Sequence, residues 1–222
     1  MPIDAPHKPT GARAAPTIIP VFPLPGAILL PGGRLPLNIF EPRYLRMVDA
    51  ALAGARVIGM TQPREPDAET EAQQLYEVGC LGRIVSFAET GDGRYLITLG
   101  GVTRFRIVRD VESGEPYRSV EADYAPFAHD RSPDETAALV DRETLFEAMR
   151  AYLDAEGVSA DWEAAFEAPT DALVNSLAMG CPFAPNEKQA LLEAGTIEER
   201  ARCLVALMRM AGGDGDRGET IQ

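Results

Sequence analysis

The chain has 222 residues, a formal charge of −13 at neutral pH and 45% hydrophobic residues. A chain of this length buries roughly 70% of the surface that it exposes when unfolded, so one large domain or two small ones can fold without cross-links. The excess of acidic side chains repels a phosphate backbone, which argues against nucleic acid as the partner.

The chain shows no targeting or membrane-spanning pattern. Proline and charge interrupt residues 1–13, where a signal peptide needs an apolar core. No later run approaches the ~20 apolar residues of a membrane span. We therefore predict a cytoplasmic protein without membrane contact.

Side chains that commonly perform catalysis or bind metals are few. The only histidines are His7 and His129, and no glycine-rich loop ends in Lys-Ser or Lys-Thr. Lys188 lies in an amphipathic helical pattern, where we expect a solvated ammonium group. The cysteines are far apart and predict neither disulfides nor a zinc site; they are Cys80, Cys181 and Cys203. We expect no catalytic residue, no metal and no cofactor.

The first half of the chain has the pattern of a compact antiparallel barrel or sandwich. Residues 1–16 are rich in Pro, Ala and Gly and predict a flexible leader. Gly91-Asp92-Gly93 predicts a hairpin turn, Gly100-Gly101 predicts the next reversal, and the acidic run 63–74 predicts a solvated loop of open function. The predicted strands are 17–22, 28–30, 35–39, 57–61, 78–89, 95–99, 102–109 and 119–124.

The second half has helical periodicity. Ser132-Pro133-Asp134-Glu135 has capping-box spacing and predicts the start of a long helix that continues to Gly157. The organisation is thus a β domain over 17–127, a helical domain over 132–210 and a disordered tail over 211–222. The further predicted helices are 160–168 after the cap Ser159, 171–179, 187–194 before Gly195, and a last helix that opens at Thr196 and ends at Gly212.

The stretch 36–48 changes from a strand pattern to a helix pattern within three residues. Leu35, Leu37 and Ile39 alternate with Pro36 and Asn38, which predicts a half-buried strand at a sheet edge.

A helix is predicted to begin at Pro42, with Asn38 or Glu41 available to cap it. An apolar face, with Arg43 and Arg46 off it, is expected from Phe40, Tyr44, Met47 and Val48. We interpret the stretch as a structural joint in which Glu41 pairs with an arginine or caps an amide.

Three linked segments resemble the N-terminal signature of Lon-type ATP-dependent proteases. They are Ile-Pro-Val-Phe-Pro-Leu-Pro-Gly at 19–26, Leu-Pro-Gly-Gly at 30–33 and Leu-Pro-Leu-Asn-Ile-Phe-Glu-Pro-Arg-Tyr at 35–44. The resemblance continues at 79–84, 185–193 and 199–201. The signature residues that we expect to be structural are Phe40, Glu41, Pro42, Arg43 and Tyr44.

The resemblance implies an α+β fold, a PUA-like antiparallel β-barrel followed by a C-terminal helical bundle. This is the substrate-engaging part of Lon, whose ATPase and serine–lysine peptidase domains we do not find in the sequence. The resemblance thus implies a stand-alone, non-catalytic module that recognises polypeptides, with a role in protein quality control.

The expected partners are unfolded or partly folded polypeptides, or one specific protein. A recognition module can hold polypeptide at a sheet edge or in apolar pockets. The candidate substrate-binding residues, whose alternative role is barrel core, are Phe22, Leu24, Ile28, Leu29 and Leu30. An RNA-binding PUA-like module and a regulatory module that docks on one defined partner stay open as alternatives. The oligomeric state is unknown from the sequence.

Overall fold

The computed structural model describes residues 15–65 and 74–214, with side chains to 212. The described chain is an α+β structure, as the sequence predicts. Its strands are β1 (Ile18–Pro23), β2 (Arg34–Ile39), β3 (Val57–Thr61), β4 (Val78–Glu89), β5 (Tyr95–Val111) and β6 (Ser119–Asp123). Its α-helices are α1 (Pro42–Ala53), α2 (Arg142–Glu156), α3 (Trp162–Glu167), α4 (Thr170–Gly180), α5 (Pro185–Glu193) and α6 (Ile197–Asp214), with 3-10 helices at Ala125–Arg131 and Glu135–Leu139.

Three segments with sequence-based predictions lie wholly or partly outside the described residues. They are the leader up to residue 14, positions 66–73 of the acidic loop and the tail from 215 onward.

One sheet contains every strand of the described chain, in the order β2-β5-β4-β3-β1-β6. β1 runs parallel to β3, and the other pairs are antiparallel. The long β5 also pairs with β6, so the pairing returns to β5 after passing through β4, β3, β1 and β6. β2 lies outside this ring and has a neighbouring strand on one side only.

A pair of facing glycines explains the main error in the predicted strands. Gly100-Gly101 does not reverse the chain, because β5 passes through it without interruption, and 28–30 is not a strand. Gly82 of β4 faces Gly101, and a Cβ atom on Gly101 would lie 2.0 Å from the Leu30 carbonyl oxygen. These glycines therefore let the segment before β2 cross the sheet at close range. The hairpin at Gly91–Gly93 is confirmed.

The long helix starts later than the sequence predicts. Asp134 caps the 3-10 helix Glu135–Leu139, and α2 begins only at Arg142 with Asp141 as its cap. Asp134 also accepts a hydrogen bond from the amide of Ile197, at 2.8 Å, so it ties this segment to the start of α6. The residues around Asp134 in the sequence do not indicate this second hydrogen bond of its carboxylate.

Three smaller helix-boundary predictions also differ from the structure. The cap of α3 is Asp161 rather than Ser159, and α5 ends at Glu193, with Ala194 at its C-cap in place of Gly195. The helix α6 passes through Gly212 to Asp214.

The strands and the C-terminal helices share one large hydrophobic core. It contains side chains of every described strand except β6, of α1 and of all the later α-helices. The fully buried side chains of a smaller second core belong to β1, β3, β4, β5 and β6, the strands of the ring. The helices therefore pack on the sheet and stabilise it.

Candidate functional site

The joint between β2 and α1 is built as the sequence indicates, except for the position of Phe40. Pro42 is the first residue of α1, where its missing amide hydrogen has no partner to lose. The Glu41 carboxylate pairs with Arg43 at 2.9 Å and caps no amide. Because both side chains are exposed, this pair contributes little to stability.

Tyr44 lies in the core and Phe40 does not. The Tyr44 ring packs edge-on against Phe22 at 4.4 Å between centroids, and burial raises the pKa of its hydroxyl. Phe40 is 61% exposed, so its predicted place on the apolar face of α1 is wrong. Phe40 continues the alternation of β2 and points away from the side on which Ile39 is buried.

The five predicted substrate-binding residues lie mostly in the core. Four side chains are at least nine-tenths buried, and Leu24 alone is half-buried. The four are Phe22, Ile28, Leu29 and Leu30. In this conformation Leu24 is the member that a partner can reach, and the role of all five in binding stays a prediction.

A different apolar surface lies next to β2. The second half of β4, the first half of β5 and β2 form a three-stranded section with one face largely buried and the other exposed. The exposed face, here called the open face, carries the large apolar side chains Phe40, Val85 and Leu96. Exposed apolar side chains that cluster in this way are typical of interaction sites.

Arginines surround the apolar part of the open face. Arg34 of β2 and Arg83 of β4 lie directly opposite Gly100 of β5, one on each neighbouring strand. Neither has an ion-pair partner among the described residues. Arg94 lies over the Phe40 ring at 5.8 Å and pairs with Asp92 at 3.0 Å. This face is therefore basic and apolar on a chain with a charge of −13.

The backbone of β2 adds a second recognition feature to the open face. The Gly101 amide donates to the Gly33 carbonyl, which determines which residues of β2 form backbone hydrogen bonds with β5. The backbone groups of alternate residues then point toward β5, and the amides of Arg34 and Asn38 point away from it. Pro36, which has no amide hydrogen, occupies the outward position between them. No described strand pairs with that side of β2.

A buried ion pair connects the sheet to the helices. Arg104 of β5 is 2% exposed and contacts Asp130, 4% exposed, at 2.7 Å. Its guanidinium also donates to the carbonyls of Leu192, Ala194 and Gly195 at the end of α5. The pair is thus a structural tie between sheet and helices.

Other buried polar groups also satisfy helix ends. Arg200 donates to the carbonyls of Leu191 and Ala194, and burial lowers its pKa to about 10, so it keeps its charge at neutral pH. The Lys188 ammonium donates to the carbonyls of Ala178 and Met179 at the end of α4. Lys188 is 2% exposed, so the predicted solvated position is wrong, and burial lowers its pKa.

An amide pair ties the segment before β2 to α5. The Gln62 side chain accepts from the Gly26 amide and donates to the Pro185 carbonyl and to Gln189. Gln189 in turn donates to the Val78 carbonyl of β4. Gln62 therefore links Gly26 to α5 and, through Gln189, to β4.

A shallow groove of about 390 Å³ separates the first turn of α2 from α6. Leu139, 66% exposed, lies at its edge, and Leu145, Ala201 and Val205 line it. The described residues contain no group of three or more His, Cys, Asp or Glu side chains that could hold a metal ion. Among the described helices, none is long and apolar enough to cross a membrane.

Sequence reasoning missed the open face and the buried arginines. The edge position of β2 was visible from Pro36, but which neighbouring strands expose apolar residues depends on tertiary packing. An arginine within a strand ordinarily points to solvent, so nothing local marks Arg104 as buried.

Comparisons with known proteins agree on one family. A model of the ATP-dependent protease La (LON) substrate-binding domain matches residues 18–210. Lon protease 2 of Sorangium cellulosum is 28% identical over 220 residues, which cover 94% of this chain and 26% of that protein. The Lon protease of Flavobacterium johnsoniae is 26% identical over 194 residues, 84% of this chain and 23% of that protein. The chain thus spans about a quarter of the length of these relatives.

Two solved structures share the fold. The Lon N-terminal domain protein from Xanthomonas campestris has 24% identity and a TM-score of 0.57, over 86% of this chain and 98% of that one. The N-terminal domain of a Mycobacterium avium complex Lon protease has 19% identity and a TM-score of 0.64, over 86% and 97%. With the family model over almost the whole described chain, these matches lead to one conclusion: the chain belongs to the Lon substrate-binding domain family.

Proposed function

We propose that this chain is a non-catalytic module that recognises unfolded or partly folded polypeptides and acts in protein quality control. The observation that carries the proposal is the match of residues 18–210 to a domain defined by substrate binding in Lon. The chain covers about a quarter of the Lon relatives, so the peptidase and ATPase activities of the whole protease are not transferred to it.

The chemistry of the described residues supports a binding role. A serine–lysine mechanism needs a lysine that can take up a proton. The Lys188 ammonium instead donates hydrogen bonds to two carbonyls at the end of α4. His129 contacts Arg104 and the Gly195 carbonyl, which are parts of the buried tie. These groups maintain the structure, and the open face is left for binding.

We also propose how the domains are organised. The ring of strands from β5 through β4, β3, β1 and β6 corresponds to a PUA-like barrel, within a β domain over 17–127. The helices α2 to α6 form the helical bundle, over 132–210. Because the two parts share a core and the Arg104–Asp130 tie, we expect them to unfold together.

A fluorescence-anisotropy titration tests the proposed function. The purified chain is titrated into a labelled, permanently unfolded polypeptide and into a labelled structured RNA, each at low and at high salt. We expect saturable binding to the polypeptide, about micromolar because ordering a flexible chain costs several kcal/mol, and binding that survives salt. Binding to the RNA alone, with a steep loss in salt, would favour the RNA-binding alternative and contradict the proposal. Binding to neither would also contradict it and would favour a module for one defined protein partner.

A further inference from the structure

We propose that the open face binds one extended polypeptide segment, which adds as a new strand beside β2 and carries both apolar and acidic side chains. This inference rests on the proposed function and names the class of segment that is recognised and the surface that recognises it. The occupant is inferred from the backbone groups, the apolar side chains and the charges of this face.

The backbone of β2 is suited to strand addition. β2 ends the strand order, and the amides of Arg34 and Asn38 point away from β5 together with the carbonyls of Arg34, Pro36 and Asn38. An incoming strand can form hydrogen bonds with these groups, as extended peptides do at exposed sheet edges. Pro36 removes one donor from the edge, which limits the pairing to a short segment and discourages indiscriminate edge pairing.

The apolar residues of the open face provide the side-chain specificity. Phe40 and Leu96 are 61% and 46% exposed, and their strand positions place them on the same side of the sheet. Side chains of an added strand alternate between the two faces of the sheet, so every second residue would lie over this surface. An apolar residue of the segment at the Phe40 end would cover rings and methyl groups that now face water.

The charges of the open face favour an acidic segment. Arg34 and Arg83 lie opposite Gly100 on its two neighbouring strands, the Val85 side chain lies over that glycine, and the Arg83 guanidinium also donates to the Ala55 carbonyl. The β2 strand has six residues, and its Arg34 end lies roughly 20 Å from its Phe40 end at ~3.3 Å per residue. A carboxylate at one end of the segment and an apolar residue at the other match this arrangement.

The same charges could attract RNA, but the surface fits a polypeptide better. The open face holds Arg34 and Arg83, which have no ion-pair partner among the described residues, at one end and Phe40 and Leu96 toward the other. Arg94, at the Phe40 end, is already paired with Asp92, and the whole chain has a charge of −13. A phosphate backbone needs a continuous track of cations. A peptide uses the edge amides and the exposed apolar side chains as well.

The test uses a labelled synthetic peptide of about eight residues, long enough to pair with all of β2, in which every second position carries glutamate toward one end and leucine or phenylalanine toward the other, with threonine at the positions between, so that the glutamate and the apolar residues lie on one face of the strand. A second peptide replaces each glutamate with glutamine. A third and a fourth carry N-methyl groups on alternate residues, one at the odd and one at the even positions, so that each lacks the backbone donors on one side. The permanently unfolded polypeptide is titrated in parallel with the wild-type chain and each variant.

Leu96→Glu is the diagnostic variant and Leu139→Glu its matched control, because both leucines are exposed and Leu139 lies on the other half of the chain. We expect Leu96→Glu to weaken binding of the first peptide by about tenfold and Leu139→Glu by less than about twofold. Arg34→Glu should weaken the glutamate peptide at low salt and have little effect on the glutamine peptide. N-methylation should weaken binding when the methyl groups face β2 and not when they face outward.

The outcomes separate the inference from the proposed function. If the unfolded polypeptide binds equally to the wild type, Leu96→Glu and Leu139→Glu, recognition occurs elsewhere and the inference is wrong while the function stands. If neither the peptide nor the unfolded polypeptide binds, both are wrong. If the glutamine peptide binds as well as the glutamate peptide, or a structured RNA displaces both, the acidic-strand assignment fails. Circular dichroism and the thermal midpoint of each variant establish that it is folded.

Discussion

The buried ion pair between Arg104 and Asp130 predicts a large loss of stability for Arg104→Met. Methionine fills much of the same volume but leaves the Asp130 carboxylate in a site where it is 4% exposed. Removing one partner of a buried pair costs about 3–5 kcal/mol, since the other charge loses its compensation. The Leu192 carbonyl also loses its guanidinium donor. We expect a total loss of about 4 kcal/mol in the free energy of unfolding.

A second arginine of β5 provides the control. Arg109 pairs with Glu121 at 2.7 Å, the same distance as the buried pair, but its side chain is 63% exposed. Arg109→Met should therefore cost less than about 1 kcal/mol. Arg104 and Arg109 form ion pairs of the same length but differ greatly in exposure, so the comparison tests the effect of burial.

Urea denaturation measures both values, and a thermal scan checks them. A loss of 4 kcal/mol in a chain of this size should lower the thermal midpoint by about 10 °C. Hydrogen exchange should rise in α5 and at the start of α6, where Arg104 holds the carbonyls. If Arg104→Met is no more costly than Arg109→Met, the ion pair does not hold the helices on the sheet, and the reasoning is refuted.

Two further stability predictions follow from the fold. Gly101→Ala should destabilise the chain by about 3 kcal/mol or more, because its Cβ would lie 2.0 Å from the Leu30 carbonyl oxygen. Gly91→Ala is the control: its Cβ would meet no atom within 4 Å, so the thermal midpoint should change little. Equal thermal midpoints for the two variants would contradict the close crossing. Burial alone would raise the pKa of Asp134, but hydrogen bonds from Thr136 and the Ile197 amide outweigh it, so the pKa is lowered. The stability that this carboxylate contributes is complete above its unfolded pKa of about 3.9 and is lost as the pH falls through the lower folded value. Asp134→Ala should thus be less stable than the wild type at pH 7 in urea denaturation, with a gap that narrows below about pH 4; a gap that stays constant to lower pH would contradict this assignment.

Much of the fold could be predicted because local patterns and tertiary structure agree. The strands 57–61 and 78–89 alternate or end at clear turn residues, and the structure confirms both. Pro42 starts a helix for a local reason that tertiary contacts do not change. The family signature gave the order of the parts.

The errors lie where a residue serves a distant partner. Gly101 was interpreted as a turn, but its freedom is used for the close crossing of Leu30. Asp134 has capping spacing with its neighbours and also binds the amide of Ile197, far along the chain. Lys188 lies in an amphipathic pattern, yet its ammonium serves carbonyls of the preceding helix. No local pattern contains such partners.

In the candidate site, too, features set by the local sequence were predicted and features set by distant contacts were not. The stretch 36–48 was recognised as a joint at a sheet edge, and pairing of Glu41 with an arginine was one of the two roles expected for it; the partner is Arg43. Which side of the sheet remains uncovered depends on tertiary packing, so the exposure of Phe40 and Leu96 could not be predicted from the sequence.

Amide hydrogen exchange of the whole chain, with and without a saturating permanently unfolded polypeptide, tests the central claim most directly. The account predicts slower exchange at the outward amides of Arg34 and Asn38 in β2, because a bound strand accepts hydrogen bonds from them. Unchanged exchange at these two amides, with protection confined to 22–30 or to the groove between α2 and α6, would contradict recognition at the open face.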